Sequence, residues 1–313
     1  MVKKNEFKKA FKDPKKAIGI AKTRLDFESG KLFFKNTAGL KNNLDGTLTN
    51  LSTKKITKKS NSLSHDRVLT LKTKGYVNFE YPFDTSLLDQ IQKEYLLLIE
   101  NDKTSFVRTE HDGKVYSRMI KTAWKTIPSS QKLITDEIKI FVEEYFQRHF
   151  QILDITAWRN YSVETDVSNE KELFASHWHC DGKNTSIITL FINLMNVTEN
   201  NGPFMIQSKE RTKELIKMGF GSRHEYNLPM NIVEDSNHVV SHTGKIGSSM
   251  IVTTEECLHR ASHPKDGNFR DILQIRFIPS NEPLKDDWSD HCIGIDFEKL
   301  SKEKLQKQLQ IHT

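Results

Sequence analysis

Residues 176–181 read Ser-His-Trp-His-Cys-Asp, and the pair His179-x-Asp181 constrains this chain more than any other feature. In an extended strand, side chains at i and i+2 project to one face. His179 and Asp181 then stand together, and Cys180 points to the other side as a small core residue. One imidazole and one carboxylate make half of a metal clamp. Completing it takes a second imidazole from another strand, so the chain has to fold back and bring distant strands side by side. Two histidines and one carboxylate leave positions open on iron(II), the arrangement used by non-haem oxygenases.

A histidine for that role stands downstream, in Leu258-His259-Arg260-Ala261, just after the apolar segment 246–254. Eleven residues further on, Arg270 enters another strand-like segment, 271–277. A keto acid chelates a metal through its keto oxygen and adjacent carboxylate, and a guanidinium fork on a neighbouring strand can hold the far carboxylate bidentately. Phe191 or Ile275 is placed to supply an apolar wall. Two other histidines compete. His177 has His179 at i+2 and not a carboxylate, and His263 lies closer to Arg270 than His259 does.

The remaining pattern is that of a β-rich body. Segment 68–79, with Gly75-Tyr76-Val77 at its centre, alternates toward a strand. Asp84-Thr85-Ser86 caps a predicted helix over 87–100, with Leu88, Ile91, Tyr95 and Leu98 on one face. Segment 106–120 reads as polar and irregular. Ser129 or Ser130 is placed to cap a second helix ending near Phe146. Strands are predicted over 152–163, 185–197, 204–206, 246–254 and 272–278, a helix over 210–218, and loops over 219–245. Short strands with regular turn signals behind two helices predict a mainly β, α+β fold built as a double-sheet antiparallel barrel. Polar loops at 103–120 and 209–245 offer His111, Arg118, Arg211, Arg223 and His224 for an anionic or carrier-linked substrate.

Charge separates the ends from the body. Residues 1–60 hold 16 Lys/Arg against 5 Asp/Glu, net +11, and the rest holds 31 against 36, net −5. The basic balance therefore argues for a solvated arm or peripheral contact with an anionic surface through residues 1–60, and against nucleic-acid binding by the body. Residues 1–65 read as a basic extension and linker, 66–285 as the folded domain, and 286–313 as a polar helical tail. No run of about 18 apolar residues predicts a membrane helix. Three cysteines without CxxC spacing, and no apolar stretch after the basic start, place the chain in the cytoplasm.

Four pieces in order carry a resemblance. These are Gly75-Tyr76-Val77, Trp178-His179-Cys180-Asp181, the turn from Asn196-Val197-Thr198 through Glu199-Asn200-Asn201-Gly202-Pro203, and His259-Arg260-Ala261 followed by Arg270. Over roughly residues 70–280 the chain resembles the phytanoyl-CoA dioxygenase family of iron(II)- and 2-oxoglutarate-dependent oxygenases. The resemblance implies a double-stranded β-helix, or cupin-like jelly roll. It implies that His179, Asp181 and His259 ligate Fe(II) and act as the catalytic centre. It implies that Arg270 binds 2-oxoglutarate, with O2 as the second cosubstrate. The activity expected is hydroxylation of a small or carrier-linked substrate, with release of succinate and CO2. Asp181 stands where halogenating relatives carry a small residue. Two stretches depart from the family pattern. Ile206-Gln207-Ser208-Lys209 replaces Pro-Gly-Ser-His, and Gly247-Ser248 replaces Gly-Asp.

Overall fold

The computed structural model describes residues 62–79, 83–101, 107–165, 167, 172–181, 187–220 and 228–292. The extension 1–61, most of the tail, and Arg223 and His224 lie outside them.

Helix α1 (Ser62–Lys74) leads into strand β1 (Tyr76–Asn78), where a strand over 68–79 was expected. Val68 and Leu71, three apart, are both buried, which is helical and not alternating spacing. The junction needs a glycine. Gly75 has φ +88°, and a Cβ there would lie 2.2 Å from Cys257 Sγ. Helix α2 (Thr85–Ile99) starts as the sequence predicts, with the Asp84 carboxylate accepting from Ser86 N at 2.8 Å. It buries Leu88, Ile91, Tyr95 and Ile99.

Segment 106–120, expected to be irregular, is a hairpin of β2 (Val107–His111) and β3 (Lys114–Ile120). Its two-residue turn is Asp112-Gly113, with φ of 49° and 77°, the left-handed pair that favours Asp-Gly. The short helix α3 (Ala123–Thr126) follows, and then a 3-10 turn, Pro128–Leu133. Helix α4 (Asp136–Phe146) is capped by Thr135. Neither expected cap serves: Ser129 donates its hydroxyl to Glu94 at 2.6 Å, and Ser130 donates its own to Ala123 O at 3.4 Å.

Seven strands follow, five of them on predicted segments; the other two, over 239–241 and 259–261, are unexpected, the first lying, like a short helix over 230–233, where the sequence predicts a loop. They are β4 (Phe150–Tyr161), β5 (Ile188–Asn193), β6 (Phe204–Gln207), β7 (Val239–Ser241), β8 (Ser249–Val252), β9 (His259–Ala261) and β10 (Phe269–Pro279). Between β6 and β7 lie helices α5 (Lys209–Met218) and α6 (Met230–Val233). All pairings are antiparallel. The large sheet has the order β1-β8-β5-β10-β4-β3-β2, and the small sheet β7-β6-β9. This is the mainly β jelly roll that the sequence predicts.

The two faces of the large sheet differ. One buries Leu190, Ile192, Leu273, Ile275, Phe277 and Ile155 against Ile91, Ile138 and Phe141 of the helices. The alternate residues face the small sheet, where Phe191, Met250, Val252 and Ile272 pack against Phe204 and Ile206. Ile275 thus belongs to the helix-side core, and of the two wall candidates Phe191 alone lines the space between the sheets. No helix among the described residues is long and apolar enough to cross a membrane.

Candidate metal centre and anion pocket

The small sheet brings His179 to His259. Residues 175–181 run beside β9: Ala261 N donates to Ala175 O, His179 and His259 exchange backbone hydrogen bonds at 2.9 and 3.0 Å, and Asp181 N donates to Thr254 O at 3.0 Å. Alternation along this segment puts His179 and Asp181 on the inner face. Trp178, and Cys180 with it, joins a separate cluster with Leu215, Val233 and Leu258. Trp178 Nε1 donates to Glu234 at 3.0 Å, and the Arg260 guanidinium lies over the Trp178 ring. The ligand-bearing segment is therefore pinned from its outer side.

The three side chains converge. His179 Nε2 lies 3.5 Å and His259 Nε2 3.7 Å from Asp181 Oδ1. One ligand atom from each of the three falls within 4.8 Å of the others. Each imidazole has its tautomer assigned by a carbonyl: His179 Nδ1 is 2.7 Å from His177 O, and His259 Nδ1 is 3.0 Å from Cys257 O. A carbonyl only accepts, so Nδ1 carries the proton and Nε2 turns its lone pair toward the carboxylate. This is the outer-sphere arrangement that orients metal-binding histidines. Without a metal the site favours protonated imidazoles: desolvation pushes the Asp181 carboxyl up, but the charge of His259⁺, a hydrogen bond and the charge from His179⁺, and a hydrogen bond from Thr254 outweigh it. The carboxyl is held well below the usual range even though its side chain is half exposed. His177 lends this centre only its carbonyl, and His263 packs edge-on against Phe174.

Arg270, on the inner face of the large sheet, marks the second end of the candidate site. It is 2% exposed. Its Nη1 donates to Gly202 O, and its Nε has no hydrogen-bond partner. No ion pair to it forms among the described residues, and burial pushes it down to about 10 despite Asp271 next to it. Asp271 is already engaged, bidentate with Arg159 at 2.7 Å and accepting from Tyr95 Oη. A buried guanidinium without a carboxylate is costly unless an anion joins it. The turn before β6 is shaped to Arg270. Asn201 Nδ2 donates to Phe269 O at 3.0 Å. Gly202 has φ +64°, and a Cβ there would come within 2.3 Å of Pro264 N. Between the two ends, the Phe191 and Phe204 rings are 4.5 Å apart, and Phe204 lies 5.6 Å from His259.

The sequence reading missed the polar groups on the inner face of the large sheet. Thr156, Trp158 and Asn160 alternate along β4, and Asn193 and Gln274 join them by register. Trp158 Nε1, Asn160 Nδ2 and both amide atoms of Asn193 are buried without a hydrogen-bond partner. The period-two polar pattern in 156–160 was their signal. The loop candidates are otherwise occupied: Arg118 donates to Ile99 O, and Arg211 bonds Glu214 and Ile232 O. The departure at 206–209 also has a local cause, because Ser208 caps α5 by accepting from Arg211 N at 3.1 Å.

No family model matches the chain, and no curated protein does either. Solved structures do. EctD from S. alaskensis, determined with 2-oxoglutarate and 5-hydroxyectoine, aligns with a TM-score of 0.53 at 15% identity, covering 79% of this chain and 85% of that one. The non-heme alpha ketoglutarate dependent carbocyclase SnoK from nogalamycin biosynthesis aligns at 0.51 and 14%, covering 70% and 85%. The epimerase SnoN, in complex with Fe3+, alpha ketoglutarate and nogalamycin RO, aligns at 0.50 and 13%, covering 70% and 84%. The fold is shared with these enzymes.

Proposed function

We propose that this chain is an iron(II)- and 2-oxoglutarate-dependent dioxygenase of the phytanoyl-CoA dioxygenase type. One observation carries the reading: two imidazole Nε2 atoms and a carboxylate converge, and on the inner face of the large sheet Arg270 is buried with no ion pair among the described residues and with its Nε unsatisfied. The donor set fits iron(II), since imidazole and carboxylate suit it and three ligands leave positions open. The buried Arg270 fits a keto acid with a second carboxylate. The three solved neighbours support the same chemistry: SnoN and EctD were determined with this keto acid bound, and SnoK is alpha ketoglutarate dependent.

In this reading His179, Asp181 and His259 hold the metal. Arg270 fixes the far carboxylate of 2-oxoglutarate through its fork, and Phe191 and Phe204 keep water from the chelate. Iron held there would, with 2-oxoglutarate and O2, supply the two-electron oxidation that inserts oxygen into a substrate C–H bond, with succinate and CO2 as coproducts. The His177 and Cys257 carbonyls keep both Nδ1 atoms protonated. The substrate is a small or carrier-linked molecule, and the reaction is hydroxylation. Residues 66–285 form the catalytic domain, residues 1–65 a basic arm that meets an anionic surface, and 286–313 a polar tail. The enzyme works in the cytoplasm.

Anaerobic titration tests the reading. Metal-stripped protein is given iron(II) and then 2-oxoglutarate, and the weak visible charge-transfer band of the chelate is followed. The band is expected in the wild type and absent in His179→Ala and Arg270→Ala. A metal that binds with no band on keto-acid addition would make the protein a cupin-like binding module without turnover.

A further inference from the structure

One histidine of the inner face has no part in the site described so far. His242 follows β7, and its backbone N–H donates to Phe204 O at 2.8 Å. That bond continues the β6–β7 register, in which Met205 pairs with Ser241. Paired residues of antiparallel strands share a face, so His242 lies on the face of Phe204, toward the metal centre's space. It is 3% exposed, and its Nε2 has no hydrogen-bond partner. Burial and the Arg270 guanidinium together push it down to about 4. The imidazole is therefore neutral at pH 7 and close enough to feel that charge.

Both groups converge on the start of β6. Arg270 Nη1 donates to Gly202 O, and His242 pairs with Phe204, two residues on. Ile206 stands opposite His259. Two residues of strand, about 7 Å at roughly 3.3 Å per residue, thus separate the His242 position from the metal end, and Gly202, which the Arg270 side chain reaches, lies two residues beyond it. A short dicarboxylic keto acid spans such a gap. Leaving a buried imidazole nitrogen and a buried guanidinium nitrogen both unpaired is costly, and one carboxylate between them relieves both.

We propose that His242 is a specificity-determining residue, whose ring N–H joins Arg270 in holding the distal carboxylate, so that the site selects a dicarboxylic keto acid over a monocarboxylic one of equal chain length. This inference rests on the keto-acid reading above.

The test compares dissociation constants of 2-oxoglutarate and 2-oxovalerate, measured anaerobically by calorimetry on the iron(II)-loaded full-length protein. The wild type prefers 2-oxoglutarate. In His242→Leu that preference falls about tenfold to a hundredfold, as loss of a hydrogen bond to a charged group requires. Affinity for 2-oxovalerate stays unchanged, and His242→Gln, which keeps a donor, recovers part of the preference. If His242→Leu retains the preference while Arg270→Ala loses it, the inference fails and the keto-acid reading stands. If Arg270→Ala also retains it, that reading fails. Equal weakening of both keto acids in His242→Leu would make His242 a packing residue and overturn the inference. A measurement without substitution guards against misfolding: in zinc(II)-loaded wild type, the His242 ring nitrogen resonances shift on 2-oxoglutarate and not on 2-oxovalerate. The same shift with both, or with neither, contradicts the proposal.

Discussion

The two faces of the seven-stranded sheet are built from the same strands and follow opposite rules. The helix-facing side is apolar apart from one buried, fully paired ion pair, Arg159–Asp271: Leu273, Ile275 and Phe277 of β10 meet Leu190 and Ile192 of β5 and the apolar stripes of α2 and α4. The side facing the small sheet carries Thr156, Asn160, Asn193, Gln274 and Arg270, all buried, several without partners. A core built for stability alone would not hold such groups, because each unpaired polar atom in the interior opposes folding. The contrast says that one face stabilises the molecule and the other is shaped for a polar ligand.

The largest expected break in this contrast is at the metal. His179→Ala or Asp181→Ala should weaken metal binding by more than the roughly 10–100-fold typical of changes around the ligands. The far-UV dichroism of the folded protein should stay the same; equilibrium dialysis of metal and a dichroism spectrum check both halves. Next in size is the opposite face. Phe277→Ala should cost about 3–5 kcal/mol in denaturant unfolding, with metal affinity per folded molecule unchanged.

Arg159→Ala sharpens the comparison from another side. It leaves the buried Asp271 without its guanidinium and should destabilise by about 3–5 kcal/mol, whereas Arg270→Met removes a buried charge that has no ion-pair partner. The metal-free Arg270→Met protein is therefore expected to unfold at the same denaturant concentration as the wild type or a higher one.

The smallest effect is in pH. Burial lowers His242 and His263 to about 4, below the ordinary histidine value near 6.5. Between those values the unfolded chain binds more protons than the folded one, so stability rises with pH across that window and is lost as pH falls through it. Metal-free protein should lose on the order of 1–3 kcal/mol per histidine between about pH 6.5 and 4, and His242→Leu should flatten that slope in urea titrations.

Much of this was legible in the chain. His179 and Asp181 are two residues apart, so local strand geometry alone aligns them, and the order of the later motifs named His259 and Arg270. The structure brings His179, Asp181 and His259 together, and sheet register places Arg270 and Phe191 on one face of the large sheet. What escaped depends on contacts between distant residues. Ser129 looked like a helix cap but is held by Glu94, which leaves the cap to Thr135. Val68 and Leu71 alternate poorly because they lie on a helix ended by Gly75. The hairpin 107–120 was hidden by its polar sequence, although Asp112-Gly113 marks its turn. His242 gave no local signal at all, since only the β6–β7 register turns it inward.

Thermal unfolding with and without ligand tests the central contrast most directly. Manganese(II) plus 2-oxoglutarate, at concentrations far above their dissociation constants, should raise the Tm of the wild type, because they bind the folded state alone. In Arg270→Met the baseline Tm should persist while the added shift due to 2-oxoglutarate disappears. In Phe277→Ala the baseline should fall while the shift is kept. If both variants lose baseline and shift together, the two faces do not divide stability from function, and the account is wrong.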